Sequence, residues 1–233
     1  MDSDTEVLFD IAGISVYRTV TDRTLLFQAG MEIDADGAYR AYHPPPETGL
    51  GLDYLHNAGE SGNWYGLVTD SGHPGGIPVI QRSDDPGPGF FVSSTALEDL
   101  TKSRTDPLRY VDAESIPYIV LPEGMGGGAG LGDFAVVANV KSGIFTPAIC
   151  ADIGSRHKIG EASIAAAKAI GIPSSPREGG VSQHIVRYMI FSGSGNHKPR
   201  TAAEIADTAN QLFDDWGGMK RLELCFMPNS LSS

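Results

Sequence analysis

Glycine and proline interrupt this chain so often that long helices have little room to form. The sequence contains 29 glycines and 15 prolines in 233 residues, and both residue types favour turns over the interiors of regular elements. Short apolar segments lie between them, as expected for strands joined by tight connections. The sequence therefore predicts a mainly β, β-rich α+β fold, and its length suits one domain.

Several apolar segments have the length and the flanking turn residues of strands. We predict single strands over residues 14–18, 24–27, 90–94, 117–121, 183–191 and 222–226, and a hairpin of residues 133–140 and 144–150. The hairpin strands are continuously apolar instead of alternating, which indicates burial on both faces, as in a covered barrel.

Two segments carry helix signals. Residues 163–170 are rich in alanine and are followed by Gly171 and Pro173, a usual helix end. Residues 201–216 begin with Thr201 and Glu204, the pattern of a capping box, and their apolar residues share one face. We interpret the second helix as a packing element without a chemical role.

The net charge excludes some partners. The chain carries 29 acidic residues against 17 lysines and arginines, a net charge of −12. Such a surface repels phosphates, and no basic cluster offsets it, so no nucleic-acid partner is expected. The sequence contains no run of about 18 apolar residues, so no membrane span is predicted. The charge suits a cationic partner, although an acidic surface can equally serve solubility alone.

The first residues and the two cysteines give information on the cellular compartment of the protein. Asp2, Asp4 and Glu6 lie in a start that lacks an apolar core, which is neither a secretory signal nor a transit peptide. We therefore expect either a cytoplasmic protein or a trimmed form, and the localisation stays open. Cys150 and Cys225 are expected to be buried free thiols.

One segment carries the pattern of acid–base chemistry. We predict that a strand ends at Asp152, that a loop with Gly154 and Gly160 follows, and that a helix begins just after Glu161. Glycoside hydrolysis needs two carboxyl groups on opposite sides of the scissile bond, and this loop can hold them about 6.5–9.5 Å apart, the inverting spacing. The structural alternative is a turn Asp and a Glu in the first turn of a helix, where the helix dipole favours an anion.

Further acidic residues are candidates for the same cleft. Asp34 and Asp36 could begin a calcium loop, but the series of oxygen ligands is too short. We favour a tight turn, with Asp36 as a candidate contact for a substrate ammonium group. Asp53 and Asp112 are candidates of the same kind. The histidines and cysteines form no metal-binding pattern, so neither a metal nor a cofactor is expected.

Aromatic and polar residues complete the candidate set. Tyr54, Trp64 and Tyr65 lie in a turn-rich region, where they could stack on sugar rings or wedge long loops in place. Ser94 and Thr95 end a predicted strand and could bind substrate, but nothing marks them as nucleophiles. The glycine-rich residues 124–132 precede a strand, so a dinucleotide role is not expected.

The segment Asp152-Ile-Gly-x-x-x-Lys-Ile-Gly-Glu161-Ala-Ser-Ile-Ala resembles the central motif of the chitosanases of glycoside hydrolase family 75. Similar stretches lie at residues 30–37, 41–44, 51–59, 85–95, 110–112 and 116–122, which extends the resemblance over residues 30–192. The chain departs from the family pattern at Ser155, where members often have proline.

The resemblance implies a function. In that family the Asp and the Glu of this motif are the essential carboxylates, so Asp152 and Glu161 would be catalytic. The activity it implies is endo-hydrolysis of a β-1,4-linked glucosamine polymer, chitosan, by an inverting mechanism. The expected partner is therefore a cationic amino-sugar polysaccharide, and Lys158 of the motif is a candidate for binding it.

The roles of the two carboxyl groups follow from analogy and from their neighbours. By analogy with barrel cellulases, and because Glu has the higher intrinsic pKa, we expect Glu161 to be the general acid. Arg156, His157 and Lys158 are expected to help Asp152 stay ionised as the base. Against this assignment, a helix N-terminus would also favour ionised Glu161.

The same strand, loop and helix are similar to sequences of double-psi β-barrels. The similarity implies a six-stranded barrel core over about residues 115–192, with residues 1–114 wrapping it as strands and loops. Residues 193–233 would add a helix and a strand, and residues 1–233 would form a single catalytic domain. Fold analogy does not fix function.

Two other functions stay open at this stage. One is cleavage of peptidoglycan glycan strands, as in barrel transglycosylases, although an acidic cleft suits their acidic lactyl-peptides less well. The other is an expansin-like module that binds glycan without cutting it.

Overall fold

The computed structural model describes residues 4–227, which form ten strands, three helices and long connecting loops. The strands are β1 (Thr5–Ile11), β2 (Ile14–Thr19), β3 (Leu25–Asp34), β4 (Gly59–Glu60), β5 (Asn63–Trp64), β6 (Tyr118–Pro122), β7 (Phe134–Asn139), β8 (Phe145–Gly154), β9 (Glu161–Ser163) and β10 (Val181–Ile190). The helices are α1 (Ile164–Ala169), α2 (Ala202–Trp216) and α3 (Gly218–Phe226).

Six of the strands close into a barrel. Their order is β3-β10-β7-β8-β6-β9, and β9 pairs with β3 in parallel to complete the circle. The hairpin of β1 and β2 extends the sheet beside β3. The predicted β-rich fold with a six-stranded barrel is confirmed. One barrel strand, β3, comes from the N-terminal part of the chain and not from residues 115–192.

Alternate residues of the six strands fill the barrel. One buried cluster contains Phe27, Ile119, Val137, Cys150, Ala162 and Tyr188, one residue from each barrel strand. Every residue of β7 is buried, because α2 covers its outer face with Ile205 and Phe213. The expectation of strands buried on both faces is confirmed for β7 and for residues 148–152 of β8, whereas Ile144 and Phe145 are exposed. As predicted, both cysteines are buried and form no disulfide within the described residues.

The helices agree with the sequence signals except at the C-terminal end. Ser163 caps α1 by accepting a hydrogen bond from the backbone N–H of Ala166 at 3.1 Å, and Thr201 and Glu204 form the predicted capping box of α2. The predicted strand at residues 222–226 is wrong, because that segment lies in α3. Leu222 and Cys225 are its buried residues, and their spacing of three is that of a helix face.

Residues 35–113 form a layer of loops over one side of the barrel. The predicted strand at residues 90–94 is wrong, since this segment pairs only through isolated bridges, Phe91 with Ile80 and Ser93 with Leu67. Gly87, Pro88 and Gly89 immediately precede it, and such residues interrupt strand pairing. Within residues 4–227 no helix combines the length and apolar character that crossing a bilayer requires.

We predict that Gly160→Ala destabilises the protein more than Gly143→Ala. Both glycines have a positive φ, 95° and 73° respectively, but a Cβ at Gly143 has open space. A Cβ at Gly160 would lie 2.9 Å from the Cβ of Ala29 and 2.9 Å from the carbonyl oxygen of Gly30 in β3. Left-handed backbone costs a non-glycine residue about 1–2 kcal/mol, and overpacking adds about 1–3 kcal/mol.

Urea denaturation of the two variants and the wild type measures this difference. Equal losses in the free energy of unfolding would contradict a tight approach of β9 to β3.

Candidate active site

Four strands place a row of side chains side by side. Asp152 in β8 pairs with Val120 in β6, Val120 pairs with Glu161 in β9, and Glu161 pairs with Glu32 in β3. Directly paired residues point to the same face of a sheet, and all four line one cleft of about 620 Å³. Because neighbouring strands lie about 4.8 Å apart, the Cα atoms of Asp152 and Glu161 stand about 10 Å from each other.

A β-bulge turns Asp152 toward this cleft. In β8, Cys150 pairs with Ile119 of β6, but the next residue of β6, Val120, pairs with Asp152, so Ala151 is an extra residue. A bulge of this kind re-aims the side chains that follow it. The strand does not end at Asp152, as the sequence suggested, but continues to Gly154.

Glu161 begins the short strand β9 and does not lie in the first turn of a helix. Helix α1 starts three residues later, at Ile164. The expectation that a helix N-terminus would hold Glu161 ionised is therefore wrong. Burial, and next the negative charge of Asp34, raise the pKa of Glu161 to about 7, although Lys158 lowers it.

The loop layer supplies the opposite wall of the cleft. Its lining residues there are Asp36, Tyr42, Asp53, Asn57 and Tyr65. Asn57 donates from its side-chain amide to both carboxylate oxygens of Asp53 at 3.0 Å, and the Tyr42 hydroxyl donates to Asp36 Oδ1 at 2.7 Å. These bonds fix two acidic side chains that come from outside the barrel.

Three carboxyl groups meet at the floor of the cleft. One oxygen atom from each of Asp34, Asp36 and Asp152 lies within 4.8 Å of the other two. Asp34 accepts hydrogen bonds from the backbone N–H of Asp36 at 2.8 Å and from the Tyr118 hydroxyl at 2.9 Å. The first of these bonds belongs to the tight turn that the sequence predicted at residues 34–37.

Asp152 is anchored through one of its two oxygens. Oδ1 accepts hydrogen bonds from the backbone N–H groups of Ala96 and Ile153, both at 2.8 Å. Among the described residues Oδ2 has no hydrogen-bond partner. The carboxyl group is thus held in place while one oxygen remains available to a molecule in the cleft.

Crowding changes the acidity of the three aspartates. Burial raises the pKa of Asp34, and burial together with the charge of Asp34 raises the pKa of Asp36 and of Asp152 well above the usual range. Two backbone hydrogen bonds lower the pKa of Asp152 in part. Charges this close cannot all be ionised at once without a large cost, and this cost favours a proton shared among the three carboxyl groups.

Arg156 and Lys158 form their ion pairs with glutamates and not with Asp152. Arg156 pairs with Glu123 at 2.9 Å on the exposed surface. Lys158 lies 2.5 Å from Glu32 and 3.3 Å from Glu161. The expectation that these side chains keep Asp152 ionised is wrong, because Lys158 contacts Glu161 and because burial and Asp34 raise the pKa of Asp152.

The structure brings together part of the candidate set. Of the residues singled out in the sequence, the 620 Å³ cleft is lined by Asp34, Asp36, Asp53, Tyr65, Asp152, Lys158 and Glu161. Trp64, Ser94 and Thr95 line a neighbouring cavity of about 470 Å³, which meets the cleft at Tyr65. Tyr65 is 65% exposed, so its ring is free to contact a ligand in either space.

Three candidates have contacts that hold the loops in place. Tyr54 stacks on His56, with ring centroids 5.4 Å apart. Thr95 donates to the carbonyl oxygen of Leu97 and accepts from the backbone N–H of Val111. Asp112 accepts from the Ser115 hydroxyl and caps a turn.

Sequence reasoning missed Glu32 and Tyr42 as lining residues. Glu32 lies two residues before Asp34 in β3, so both side chains point to the same face of the strand. This alternation is visible in the sequence. The pairing of β3 with β9, which brings that face to Glu161, is not.

Comparison with known proteins agrees with this architecture. A family model described as fungal chitosanase of glycosyl hydrolase group 75 matches residues 83–217, more than half of the chain. The matched segment contains Asp152, Glu161 and five of the six barrel strands, all but β3. A search of curated proteins found no match. The chain therefore belongs to glycosyl hydrolase group 75, and it is a glycoside hydrolase.

Proposed function

We propose that the protein is an endo-acting chitosanase that cleaves β-1,4-linked glucosamine polymer by an inverting mechanism. The observation that carries this proposal is the joint position of Asp152 and Glu161 on one open cleft. The family to which the chain belongs is described by its chitosanases, and this description supports the substrate.

The charge of the cleft favours a cationic polymer. Glu32, Asp34, Asp36, Asp53, Asp152 and Glu161 line it, whereas Lys158 is the one lysine or arginine among its described lining residues. A concave surface with one sign of charge concentrates ligands of the opposite sign. Protonated glucosamine units satisfy this condition, while peptidoglycan strands, with their acidic peptides, do not.

The roles follow from the two environments. Glu161, with a pKa of about 7, carries a proton in mildly acidic solution and can donate it to the leaving oxygen. Asp152 presents Oδ2, which has no hydrogen-bond partner within residues 4–227 and can accept a proton from water. The positions of Asp152 and Glu161 two strands apart, with Cα atoms about 10 Å from each other, support an inverting mechanism, in which a water lies between carboxyl groups about 6.5–9.5 Å apart.

The shared proton of the three aspartates supports the same assignment. Asp152 accepts two backbone hydrogen bonds, which favour its ionised form. Asp36 accepts no backbone N–H among the described residues. We therefore place the proton on Asp36, which leaves Asp152 charged and able to act as a base.

Both parts of the chain are needed for this cleft. The barrel supplies Asp152 and Glu161, whereas the loop layer supplies Asp36 and Asp53. We therefore propose that residues 1–233 act as a single catalytic domain, because neither part contains the whole cleft.

We predict that Asp152→Asn and Glu161→Gln each lower the release of reducing ends from chitosan by at least about 100-fold, the usual contribution of a positioned acid or base. Thermal melting temperatures should stay at or above that of the wild type, since both changes remove a buried charge. Glu60→Gln is the matched control, because Glu60 is exposed on β4, and it should retain full activity.

The same assay on chitin and peptidoglycan tests the substrate. Binding of chitosan without new reducing ends would favour a non-catalytic module, and release from peptidoglycan alone would overturn the chitosan assignment.

We predict that Glu161→Gln retains more activity than Asp152→Asn on a glucosamine oligomer with an excellent leaving group. Such a leaving group departs without protonation, so the loss of the acid matters less while the loss of the base still matters. Initial rates on an aryl glycoside and on chitosan measure the two ratios. Equal losses on both substrates would contradict the assignment of Glu161 as the acid.

We predict that Asp36→Asn gains stability relative to the wild type as the pH rises. The pKa of Asp36 is raised in the folded state by burial and by Asp34. The stability this carboxyl contributes is therefore complete below its unfolded pKa, about 3.9, and is lost as the pH rises toward its folded pKa. Asparagine does not ionise and escapes this loss.

Urea denaturation at pH 3.5 and pH 7.5 measures the effect, which should grow by at least about 1 kcal/mol between the two, given that one pKa unit corresponds to about 1.4 kcal/mol. Asp99→Asn is a control of opposite sign, because hydrogen bonds from Thr101 lower the pKa of this exposed residue. A pH-independent effect of Asp36→Asn would contradict the shared proton.

A further inference from the structure

The shortest ion-pair contact of Lys158 is with a residue outside the central motif that begins at Asp152. Its ammonium nitrogen lies 2.5 Å from Glu32 Oε2 and 3.3 Å from Glu161 Oε2. Glu32 belongs to β3, about 130 positions from Glu161 in the sequence. Lys158 therefore bridges two carboxylates and does not project an unpaired charge into the cleft.

The sheet explains why these three side chains meet. Glu32 and Glu161 are direct partners in the parallel pairing of β3 with β9, and like charges in that arrangement repel each other. Lys158 precedes Glu161 by three residues in the loop that leads into β9, so its ammonium group reaches the space between them. The arrangement relieves a repulsion that the closure of the barrel creates.

We propose that Lys158 is a positioning residue for Glu161, and that Glu32 governs how strongly Lys158 holds Glu161, so that this pair sets the alkaline limit of the reaction. The proposal rests on the role of Glu161 as the general acid. It changes the role of Lys158 from a contact for the substrate to a contact for the acid.

The three side chains differ in exposure, which supports a competition between Glu32 and Glu161 for the ammonium group of Lys158. The side chain of Glu161 is 20% exposed, that of Lys158 is 38% exposed, and that of Glu32 is 66% exposed. Lys158 is thus held between a deep carboxylate and a shallow one, with the shorter contact to the shallow one. Since Glu32 draws the ammonium outward, Glu161 faces less positive charge than a simple ion pair would give it.

The acidic groups around Glu161 favour its protonated form. Burial comes first among the effects that raise its pKa, and Asp34 and Glu32 also raise it, while Lys158 alone among its main neighbours lowers it. Asp152 and Asp36, on β8 and the loop layer, face the same space. Tyr188 of β10 lies in the barrel interior, where burial, and next the charge of Glu161, raise the pKa of its hydroxyl. Lys158 is therefore the adjustable cation in an acidic surrounding.

Substitutions of Glu32 and of Lys158 are expected to shift the alkaline midpoint of kcat/KM in opposite directions. Glu32→Gln removes a negative charge and frees Lys158 to pair with Glu161 alone, so the ionised form of Glu161 gains. The alkaline midpoint of kcat/KM should move down by about 0.5 pH units, at the low end of the effect of a nearby charge because Glu32 is exposed. Lys158→Met removes the cation, so the midpoint should move up by about 1 unit.

The experiment combines a pH profile on chitosan with a titration of the Glu161 carboxyl carbon by ¹³C NMR in the free enzyme. The substrate amines titrate identically for every variant, so differences between variants belong to the enzyme. Lys158→Arg should restore the wild-type midpoint. Arg156→Met is the matched control from the same loop, because Arg156 pairs with Glu123 on the exposed surface, and it should leave the midpoint unchanged.

Each outcome decides one claim. Opposite shifts for Glu32→Gln and Lys158→Met, in both readouts, support the proposal. A higher KM for Lys158→Met without a change of midpoint would overturn the proposal in favour of substrate binding by Lys158. Midpoint shifts of the same sign for Glu32→Gln and Lys158→Met would show that Glu32 and Glu161 do not compete for Lys158. An inactive wild type would overturn the chitosanase function, while the NMR titration would still test the contact of Lys158 with Glu161. If Lys158→Met does not fold, the exposed Glu32→Gln decides by its sign alone.

Discussion

The pairing of β3 with β9 is the contact on which both the fold and the cleft depend. It joins only three residue pairs, Glu32 with Glu161, Ile33 with Ala162 and Asp34 with Ser163, yet it closes the barrel. The middle pair packs apolar side chains, while the two outer pairs place Glu32, Asp34 and Glu161 on the opposite face. A barrel without edges and a cluster of acidic side chains therefore arise from the same short contact.

This closure also connects the cluster to the rest of the structure through hydrogen bonds. Ser163 accepts from the backbone N–H of Tyr118 at 3.0 Å and donates to the carbonyl oxygen of Ile116 at 2.9 Å, in addition to capping α1. The Tyr118 hydroxyl in turn donates to Asp34. Carboxyl groups that are buried without such partners cost several kcal/mol, so the network and the close-packed barrel interior together stabilise an arrangement that is unfavourable in itself. Stability is commonly reduced at functional sites in this way.

Patterns among neighbouring residues predict many of the strands, helices and site residues, whereas contacts between distant strands cannot be predicted in this way. The caps at Thr201 and Ser163 and the apolar runs of β7 and β8 are read from neighbouring residues. Asp152 and Glu161 are candidates because one short motif, which resembles that of the chitosanases, contains both. Glu32 could not be found in this way, since only the register of β3 against β9 brings it to Glu161, and the helix α3 was mistaken for a strand because its apolar residues are consecutive as well as three apart.

The width of the cleft depends on a contact between its two walls. Arg177, in the segment between α1 and β10, donates to the carbonyl oxygen of Gly51 at 2.5 Å, with the carbonyl oxygens of Thr48 and Asp53 also within reach. Its guanidinium group lies 4.8 Å from the ring centroid of Tyr54, which explains why Tyr54 faces this arginine and not the cleft. Because Asp53 belongs to the same loop, Arg177 fixes the distance between the acidic groups of the loop layer and those of the barrel. A cleft built from two separate parts of the chain needs such a connection, since its carboxyl groups repel each other and would otherwise force the walls apart.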